Sequence, residues 1–552
     1  MTAINAKYIH TCPAIYSLKA YADEQGVGEK VTISTAEYTI NDRYNDILDS
    51  VLSHEADVIA FSTYIWNVDR VRRLIRDLRK ILADQVQLWA GGPEATYYPA
   101  PFLLEDGADL CMLGEGEETF TSLVRYVATL PSVNRESTEV QNNADLFLSG
   151  LSHIQGIACR KDDRVVNTRM AVPVNLNQIP FLYRDLSAYE HRILYYESSR
   201  GCPFSCAYCL SGKERGIRFR DLARVKEELQ FFLDQKVPQV KFIDRTFNAD
   251  PDRAIQIWEY LREHDNGVTN FHFEIEADRI TREELELLTT LRPGLIQMEI
   301  GVQSANPATL KSVHRSAKLD RIREVMDILT REQNINLHLD LIAGLPFEDL
   351  ESFAKSFQAV YEMRPHQFQI GFLKLLKGTE LYERREEYGL VCSEDAPYEV
   401  LKTRWLSYSD ISRLHRISDR VEEYVNSQGF RRSLPLAEKM FPDAFSLFES
   451  LAAYYREKGY EQKPPSVFRR YEIFSDFLRE RAVKTGAVDS DEFALLLETV
   501  RFDQYLHTHP SRRMSARETF FFGGFKEEYF FDYQETSPVH GEARAESWGR
   551  FY

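Results

Sequence analysis

The chain has 552 residues, of which 43% are hydrophobic and 28% are charged, and these fractions exclude a disordered or a fibrous protein. At roughly 150 residues per domain, such a length predicts three or four domains. Lysine and arginine total 68 against 85 aspartates and glutamates, so the formal net charge is −17. Because this acidity opposes broad binding to polyanions, we expect neither nucleic acid nor a membrane as a partner.

The opening segment MTAINAKYIHTCP lacks the basic-then-apolar pattern of a secretory signal, and no run of about 18 apolar residues follows it, so a cytoplasmic protein is expected. The seven cysteines are an odd and sparse set for this length, which argues against a disulfide framework. Three of them, Cys202, Cys206 and Cys209, lie within eight positions and are predicted to be metal ligands. The other four are interpreted as buried small hydrophobic residues.

Residues 1–135 alternate short β-branched runs with amphipathic helical segments, which predicts a doubly wound parallel sheet of about five strands. The first run, MTAIN, looks too short for a central strand, so we expect either a truncated strand or a true start upstream of Met1. Residues 136–188 lose this periodicity and are predicted to form a linker with a β-hairpin that turns at Lys161–Asp163.

A second βα series occupies residues 189–400, and its six strand candidates are too few for a closed eight-stranded barrel. They predict a partial, open (β/α)6 barrel with its reactive groups at the C-terminal ends of the strands. Beyond residue 400 the strand pattern fades, and residues 401–552 are predicted to form a mostly helical C-terminal domain. The fold class expected is therefore α/β with a helical third domain.

The three clustered cysteines form the pattern Cys-x3-Cys-x2-Cys directly after the first strand of this barrel. Three thiolates on one loop can hold three irons of a 4Fe-4S cluster, whereas a closed cluster uses four, so one iron is left open for another ligand. A structural zinc site is the alternative. Zinc fingers combine two cysteines with a second pair of ligands, and the sequence carries no second Cys-x2-Cys pair and no His-x3-His pair.

The segment CPFSCAYC at the start of a six-unit βα barrel resembles the radical S-adenosylmethionine (SAM) enzymes. The resemblance implies that the open iron chelates SAM, whose reductive cleavage gives a 5′-deoxyadenosyl radical or drives methyl transfer. Tyr208 fills the aromatic position before the third cysteine. In the segment KFIDRTFN, which stands where the family has a Gly-Gly-Glu-like motif, Asp244, Arg245 and Thr246 replace that motif, so SAM binding is not carried over to them.

Glu274 and Glu276 share one face of the third strand by alternation. Because an unpaired inward carboxylate is costly to bury, Glu276 is predicted to meet a ligand or an arginine. Arg315 is either a contact of SAM or a solvated helix charge. Together with polar groups at the end of strand four and the GxIxG-like segment of strand five, the predicted SAM-binding residues are Phe204, Tyr208, Glu276, Gln303, Ser304, Arg315 and Ile342.

The segments WAGGPEATYYP and LGEGEETF resemble the cobalamin-binding domain of cobalamin-dependent radical SAM enzymes. A dinucleotide site is the alternative ligand site, but no GxGxxG follows a strand. Other cobalamin proteins carry Asp-x-His-x-x-Gly, which is absent from NAKYIHTCP, so His10 is either a lower-face cobalt contact or a packing residue. From the C-terminal ends of the strands, the predicted cobalamin-binding residues are Asn5, His10, Ser62, Thr63, Gly91, Gly92, Glu94, Gly114, Glu115 and Gly116.

With its C-terminal region, the whole chain resembles an uncharacterised cobalamin-type radical SAM group that carries a domain of unknown function. The implied activity is methylation of an unactivated carbon or phosphorus centre, with a 4Fe-4S cluster, SAM, cobalamin and a one-electron reductant such as flavodoxin or ferredoxin. Three alternatives stay open: a non-methylating rearrangement or cyclisation, a non-catalytic iron-sulfur or cobalamin carrier, and RNA methylthiolation. The last is disfavoured because Cys12 and Cys111 are too few for a second cluster.

Overall fold

The computed structural model describes residues 1–82, 86–129, 151–213, 216–488 and 490–507. The chain forms two compact units, one built from residues 1–365 and 370–411 and the other from residues 366–369 and 412 onward. Within the described ranges, no helix is both long and apolar enough to cross a bilayer.

The N-terminal part of the first unit is a sheet of seven strands with helices on both faces. Its strands are β1 (Thr2–Asn5), β2 (Ala36–Thr39), β3 (Val58–Ser62), β4 (Gln87–Gly91), β5 (Leu110–Met112), β6 (Ile157–Lys161) and β7 (Arg164–Asn167). Its helices are α1 (Pro13–Glu24), α2 (Tyr44–Ser53), α3 (Val68–Leu82), α4 (Pro93–Tyr97) and α5 (Glu117–Val127). The spatial order is β2-β1-β3-β4-β5-β6-β7, and the pairings from β2 to β5 are parallel.

Alternation along β4 divides the hydrophobic core between the two faces of this sheet. Leu88 and Ala90 pack in the cluster that includes side chains of α2 and α3, whereas Trp89 packs in the cluster that includes α1 and α5. A strand that is apolar on both sides is typical of a sheet covered by helices on both faces. The predicted doubly wound sheet is therefore confirmed.

Two expectations for this region differ from the structure. The strand β1 has four residues but is central, because it pairs with β2 along its length and with β3 at Thr2. The hairpin β6–β7 turns where the sequence predicts, but it extends the first sheet: β6 pairs antiparallel with β5, with Leu110 opposite Cys159. The sequence did not predict that β6 pairs with β5, because the two strands are far apart in the chain. An antiparallel pairing between distant strands leaves no local sequence pattern.

The central part of the chain is a six-stranded sheet in the order β15-β14-β13-β12-β11-β8, and a small antiparallel hairpin, β9–β10, lies in the connection between β8 and β11. The strands are β8 (Leu194–Tyr196), β9 (Ser199–Cys202), β10 (Gly216–Phe219), β11 (Gln239–Phe242), β12 (Asn270–Ile275), β13 (Ile296–Gln303), β14 (Asn336–Ala343) and β15 (Gln367–Phe372). The intervening helices are α6 (Leu222–Asp234), α7 (Pro251–Glu263), α8 (Arg282–Leu288), α9 (Pro307–Ser312), α10 (Leu319–Glu332) and α11 (Leu350–Tyr361). The pairings among β8, β11, β12, β13 and β14 are parallel, which confirms the partial six-unit barrel.

Several of the helices that follow these strands begin with a side chain that caps the helix N-terminus. Each accepts hydrogen bonds from backbone amides of the first turn, and the capping residues are Asp221, Asp250, Thr281, Asn306 and Asp349. Along β13, Ile296, Met298, Ile300 and Val302 are buried while the alternating positions are half-buried. This period of two places Glu299, Gly301 and Gln303 on one face, toward the barrel interior.

After β15 the chain forms the short helix α12 (Glu380–Glu383) and a two-stranded ribbon of β16 (Val391–Cys392) and β17 (Val400–Lys402). The described remainder is helical: α13 (Tyr408–Val421), α14 (Ser433–Glu438), α15 (Ala444–Glu457), α16 (Val467–Thr485) and α17 (Asp491–His507). An aromatic core holds these helices, in which Phe430 stacks on Tyr471 at 4.3 Å. The predicted helical C-terminal region is confirmed, and residues 508–552 lie outside the described chain.

Candidate functional site

Cys202 is the last residue of β9, and Cys206 and Cys209 lie on the loop that follows this strand. Cys206 is buried and Cys202 and Cys209 are half-buried, and all three are free thiols. Thr246 Oγ1 lies 3.5 Å from the sulfur of Cys202, and Arg315 Nη1 lies 3.9 Å from the sulfur of Cys206. Burial raises the pKa of the Cys206 thiol, and the guanidinium of Arg315 opposes that increase. Arg315 therefore provides a donor to the sulfur of Cys206, and such hydrogen bonds are one way that proteins tune an iron-sulfur cluster.

The spacing of the sulfur atoms is wider than a single ion requires. Four ligands that share one zinc at about 2.3 Å lie within about 4 Å of each other. Among the described residues, the three cysteine sulfurs do not form a group whose members all lie within 4.8 Å of one another. In a 4Fe-4S cluster each thiolate binds a different iron, so this donor set fits a cluster better than a zinc ion.

Glu276 and Arg315 form an ion pair beside these cysteines. Glu276 follows β12 and Arg315 follows α9, and Arg315 Nη2 donates to both carboxylate oxygens at 3.0 and 2.9 Å and to the carbonyl of Gly301. Burial raises the pKa of Glu276 to about 7, against the opposing charge of Arg315. The prediction that Glu276 meets a ligand or an arginine is confirmed, and Arg315 is not a solvated helix charge.

Gln303 ends β13 with a backbone φ of +68°, and its side chain lies over Gly301. A Cβ atom on Gly301 would lie 2.1 Å from Gln303 Nε2, so this glycine makes room for the amide. Gln303 Oε1 is buried, and in the described part of the chain it has no hydrogen-bond partner. An orphaned buried acceptor beside Arg315 is the kind of group that a bound ligand satisfies.

The other predicted SAM contacts, Phe204, Tyr208, Ile342 and Ser304, differ in their position and burial. Phe204 and Tyr208 lie on the cysteine loop, and the guanidinium of Arg279 faces the Phe204 ring at 5.7 Å. Ile342 is half-buried on the interior face of β14. Ser304 is fully buried and donates to Glu348 Oε1 at 2.6 Å. Its hydroxyl is therefore engaged in the core, and a contact with SAM stays a prediction.

The segment KFIDRTFN, which stands where the family has its second-strand motif, holds the start of β9 in place through Asp244. Asp244 is buried and accepts hydrogen bonds from the backbone and hydroxyl of Ser198 and from the hydroxyl of Ser199, at 2.6–2.8 Å. Burial raises the pKa of Asp244 to about 6. Sequence reasoning did not assign this role, and its only signal was the pair of serines, Ser198 and Ser199, a few residues before Cys202.

A cavity of about 450 Å³ opens at the C-terminal edge of the first sheet. Its wall also includes barrel residues such as Tyr195, Arg200 and Arg245. The predicted cobalamin contacts that line it are Ser62, Gly91, Gly92, Gly114, Glu115 and Gly116. Gly92 has φ of +106°, and a Cβ atom there would lie 2.6 Å from the carbonyl oxygen of Thr63. The glycines therefore form a cradle in which a large ligand can approach the backbone, and Tyr64, absent from the predicted set, also lines it.

The four other predicted cobalamin contacts are Asn5, His10, Thr63 and Glu94, and each bonds within the protein instead of lining the cavity. His10 Nδ1 lies 2.6 Å from the hydroxyl of Tyr195, and burial lowers the pKa of His10. Glu94 accepts a hydrogen bond from Tyr398 at 2.7 Å. These bonds favour the packing role for His10, and cobalt contact by any of the four stays a prediction.

Arg200 connects the glycine cradle to the cysteine loop. It lies two residues before Cys202, and its guanidinium donates to Glu115, Glu117 and Glu197 at 2.7–3.3 Å. Glu115 is held in the same way by Arg218. Sequence reasoning did not assign Arg200, because two of its three carboxylate partners, Glu117 and Glu115, are 83 and 85 positions away in the chain.

Comparison with known families gives three matches along the chain. The B12 binding domain matches residues 1–124, the Radical SAM superfamily matches residues 196–360, and a protein of unknown function family, DUF4080, matches residues 386–538.

Among curated proteins, the cobalamin-dependent radical SAM methyltransferase TokK of Streptomyces tokunonensis is 26% identical over 360 residues, which cover 61% of this chain and 50% of that protein. This chain thus spans about half the length of that relative. The anaerobic magnesium-protoporphyrin IX monomethyl ester cyclase of Synechocystis is 27% identical over 405 residues, covering 68% and 72%. The structure of the cobalamin-dependent S-adenosylmethionine radical enzyme OxsB with aqua-cobalamin aligns with a TM-score of 0.60 at 16% identity, over 92% of this chain and 79% of that one, which shows a shared fold.

Proposed function

We propose that this chain, in which residues 1–124 match the B12 binding domain and residues 196–360 match the Radical SAM superfamily, is a cobalamin-dependent radical SAM enzyme that methylates an unactivated carbon or phosphorus centre of a substrate. The observation that carries the proposal is that the cysteine loop and the glycine cradle lie in one compact unit. The ion pairs of Arg200 with Glu115 and Glu117 connect them. Methyl transfer needs the two sites to serve one substrate, and this connection holds them together.

Bound at these sites, a 4Fe-4S cluster, SAM and cobalamin would supply the electron transfer and the methyl group. Cys202, Cys206 and Cys209 would hold three irons of the cluster. Gly91 and Gly92 would let a corrin ring approach the backbone at the end of β4, since neither carries a side chain.

The protein's own groups would orient SAM beside the cysteines. Gln303 Oε1 is a buried acceptor that lacks a partner within the described chain, and it suits a donor such as an amino group. Arg315 carries a positive charge between Glu276 and Cys206, where it suits a carboxylate. Ile342 offers an apolar surface on the same side of the barrel. SAM has an amino group, a carboxylate and an adenine ring, which match these three surfaces.

The remaining expectations extend this proposal to partners and location. A one-electron reductant, such as flavodoxin or ferredoxin, would have to supply the electron that SAM cleavage consumes. A cytoplasmic location would provide such reductants and stays a prediction, as does the assignment of cobalamin contacts to Asn5, His10, Thr63 and Glu94.

Cyclisation without methyl transfer is the second candidate function. The relative from Synechocystis that matches 68% of this chain is a cyclase, whereas TokK is a methyltransferase. A non-catalytic carrier is less well supported, because Gln303, Arg315 and Glu276 would then have no ligand to orient.

The test begins with protein purified without oxygen and supplied with iron, sulfide and hydroxocobalamin. The loaded protein is incubated with a reductant and methyl-labelled SAM, and S-adenosylhomocysteine and 5′-deoxyadenosine are quantified. Both products are expected from a methyltransferase, 5′-deoxyadenosine alone from a cyclase, and neither from a carrier. The variant Cys206→Ala should lose both products, and Cys392→Ala, a half-buried free cysteine outside the loop, serves as the matched control.

A further inference from the structure

A cluster of ionisable side chains fills the barrel interior one layer deeper than Glu276 and Arg315. The cluster consists of Lys241 on β11, His272 on β12, Glu299 on β13, and His338 and Asp340 on β14. Glu299 lies two residues before Gly301, whose carbonyl receives Arg315. The methyl-transfer proposal makes no use of these groups, although buried charges are costly to retain.

Three of these side chains converge on one point. One ligand atom from each of Glu299, His338 and Asp340 lies within 4.8 Å of the other two. The parallel register explains the convergence, because Glu299 on β13 is directly opposite His338 on β14, and Asp340 is the next interior position along β14. Both strands are central in the six-stranded sheet, so the backbone holds this arrangement firmly.

The closest contacts between these side chains have the spacing of ligand atoms around one ion. His338 Nε2 lies 2.9 Å from Asp340 Oδ1, and both atoms are buried. His272 Nε2 lies 3.2 Å from Glu299 Oε2, on a side chain that is only 9% exposed. Bonds of about 2.0–2.2 Å from one ion place neighbouring ligand atoms about 3 Å apart.

We propose that His338, Asp340 and Glu299 bind a divalent transition-metal ion inside the barrel. Imidazole nitrogens with carboxylate oxygens are the ligands of zinc, iron(II) or manganese. The two carboxylates face one permanent cation, Lys241, so a negative charge remains to attract the ion when the histidines are neutral. Lys241 Nζ lies 3.1 Å from Glu299 Oε2. Lys241 would therefore orient the Glu299 carboxylate without binding the metal itself.

The metal site is independent of the methyl-transfer proposal, and it is tested on the full chain loaded with iron, sulfide and hydroxocobalamin. The loaded protein is incubated with zinc sulfate without oxygen, desalted, and analysed for zinc, iron and cobalt. We expect about one zinc per chain in the native protein and in the control His264→Gln, whose exposed ring contacts the carbonyl and the ring of Tyr260. The variants His338→Gln and Asp340→Asn should lose that zinc while their iron and cobalt contents stay unchanged.

X-ray absorption at the zinc edge of the native protein identifies the ligands directly. Nitrogen and oxygen neighbours at about 2.0–2.1 Å are expected, whereas sulfur at about 2.3 Å would place the zinc on the cysteine loop and overturn the proposal. Absence of retained zinc, or equal retention by the two variants, would overturn it as well. Iron and cobalt contents in the same samples report on the cluster and cobalamin sites, so failure of one proposal is separable from failure of the other.

Discussion

Arg315 reaches both carboxylate oxygens of Glu276, at 3.0 and 2.9 Å, with only 10% and 6% of the two side chains exposed. The pair joins the end of the third barrel strand to the segment after α9, and Arg315 also faces Cys206. An ion pair so placed shapes the surroundings of the cysteine loop as well as the stability of the barrel.

Replacing Arg315 by alanine should destabilise the protein by about 3–5 kcal/mol, because it leaves the Glu276 carboxylate buried without its partner. Urea unfolding followed by circular dichroism measures this change. The control is Arg282→Ala, which removes an exposed ion pair with Glu286 and should leave the unfolding midpoint nearly unchanged. Equal effects of the two substitutions would show that the buried pair is not structurally important.

Glu348 predicts a pH dependence of stability. Burial raises its pKa to about 7, against hydrogen bonds from Ser304 and Ser356, whereas an unfolded glutamate titrates near 4.5. Between these values the folded state binds more protons than the unfolded state, so the contribution of Glu348 to stability falls as pH rises from about 4.5 to 7.

The variant Glu348→Gln should remove this fall, at about 1.4 kcal/mol for each unit of pKa shift removed. Urea midpoints of both proteins at pH 5, 6, 7 and 8 measure it. The variant should gain stability relative to the native protein as pH rises, and a difference that is constant across this range would contradict the assignment.

Gly92→Ala should prevent cobalamin binding, because the added Cβ would lie 2.6 Å from the carbonyl of Thr63 in a backbone region with φ of +106°. Cobalamin per chain is read from absorbance after desalting, and iron content should not change. Gly26→Ala is the matched control, since it has φ of +73° and no atom within 4 Å of the added Cβ. Normal cobalamin content in Gly92→Ala would remove the glycine cradle from the proposed site.

His10→Ala should leave cobalamin content within about twofold of the native value, since His10 bonds Tyr195 and lies outside the cavity wall. Electron paramagnetic resonance of the reduced, cobalamin-loaded native protein gives an independent readout. A signal without nitrogen splitting from an axial histidine is expected, and such splitting, lost in His10→Ala, would establish cobalt coordination.

Local patterns in the sequence determined the elements of the fold and the chemistry of the cluster site. The spacing of Cys202, Cys206 and Cys209 is a property of one loop, and alternation along β13 or β14 is a property of one strand. Such signals repeat over a few residues, so composition and spacing express them without any knowledge of packing.

Only the tertiary structure decided which distant groups meet. Glu276 and Arg315 are 39 positions apart, and His10 and Tyr195 are 185 positions apart. The same holds for the hairpin β6–β7, which joins the first sheet, and for the convergence of Glu299 with His338. These relationships depend on strand order and register, which are set by the packing of the whole core and leave no mark at the single positions involved.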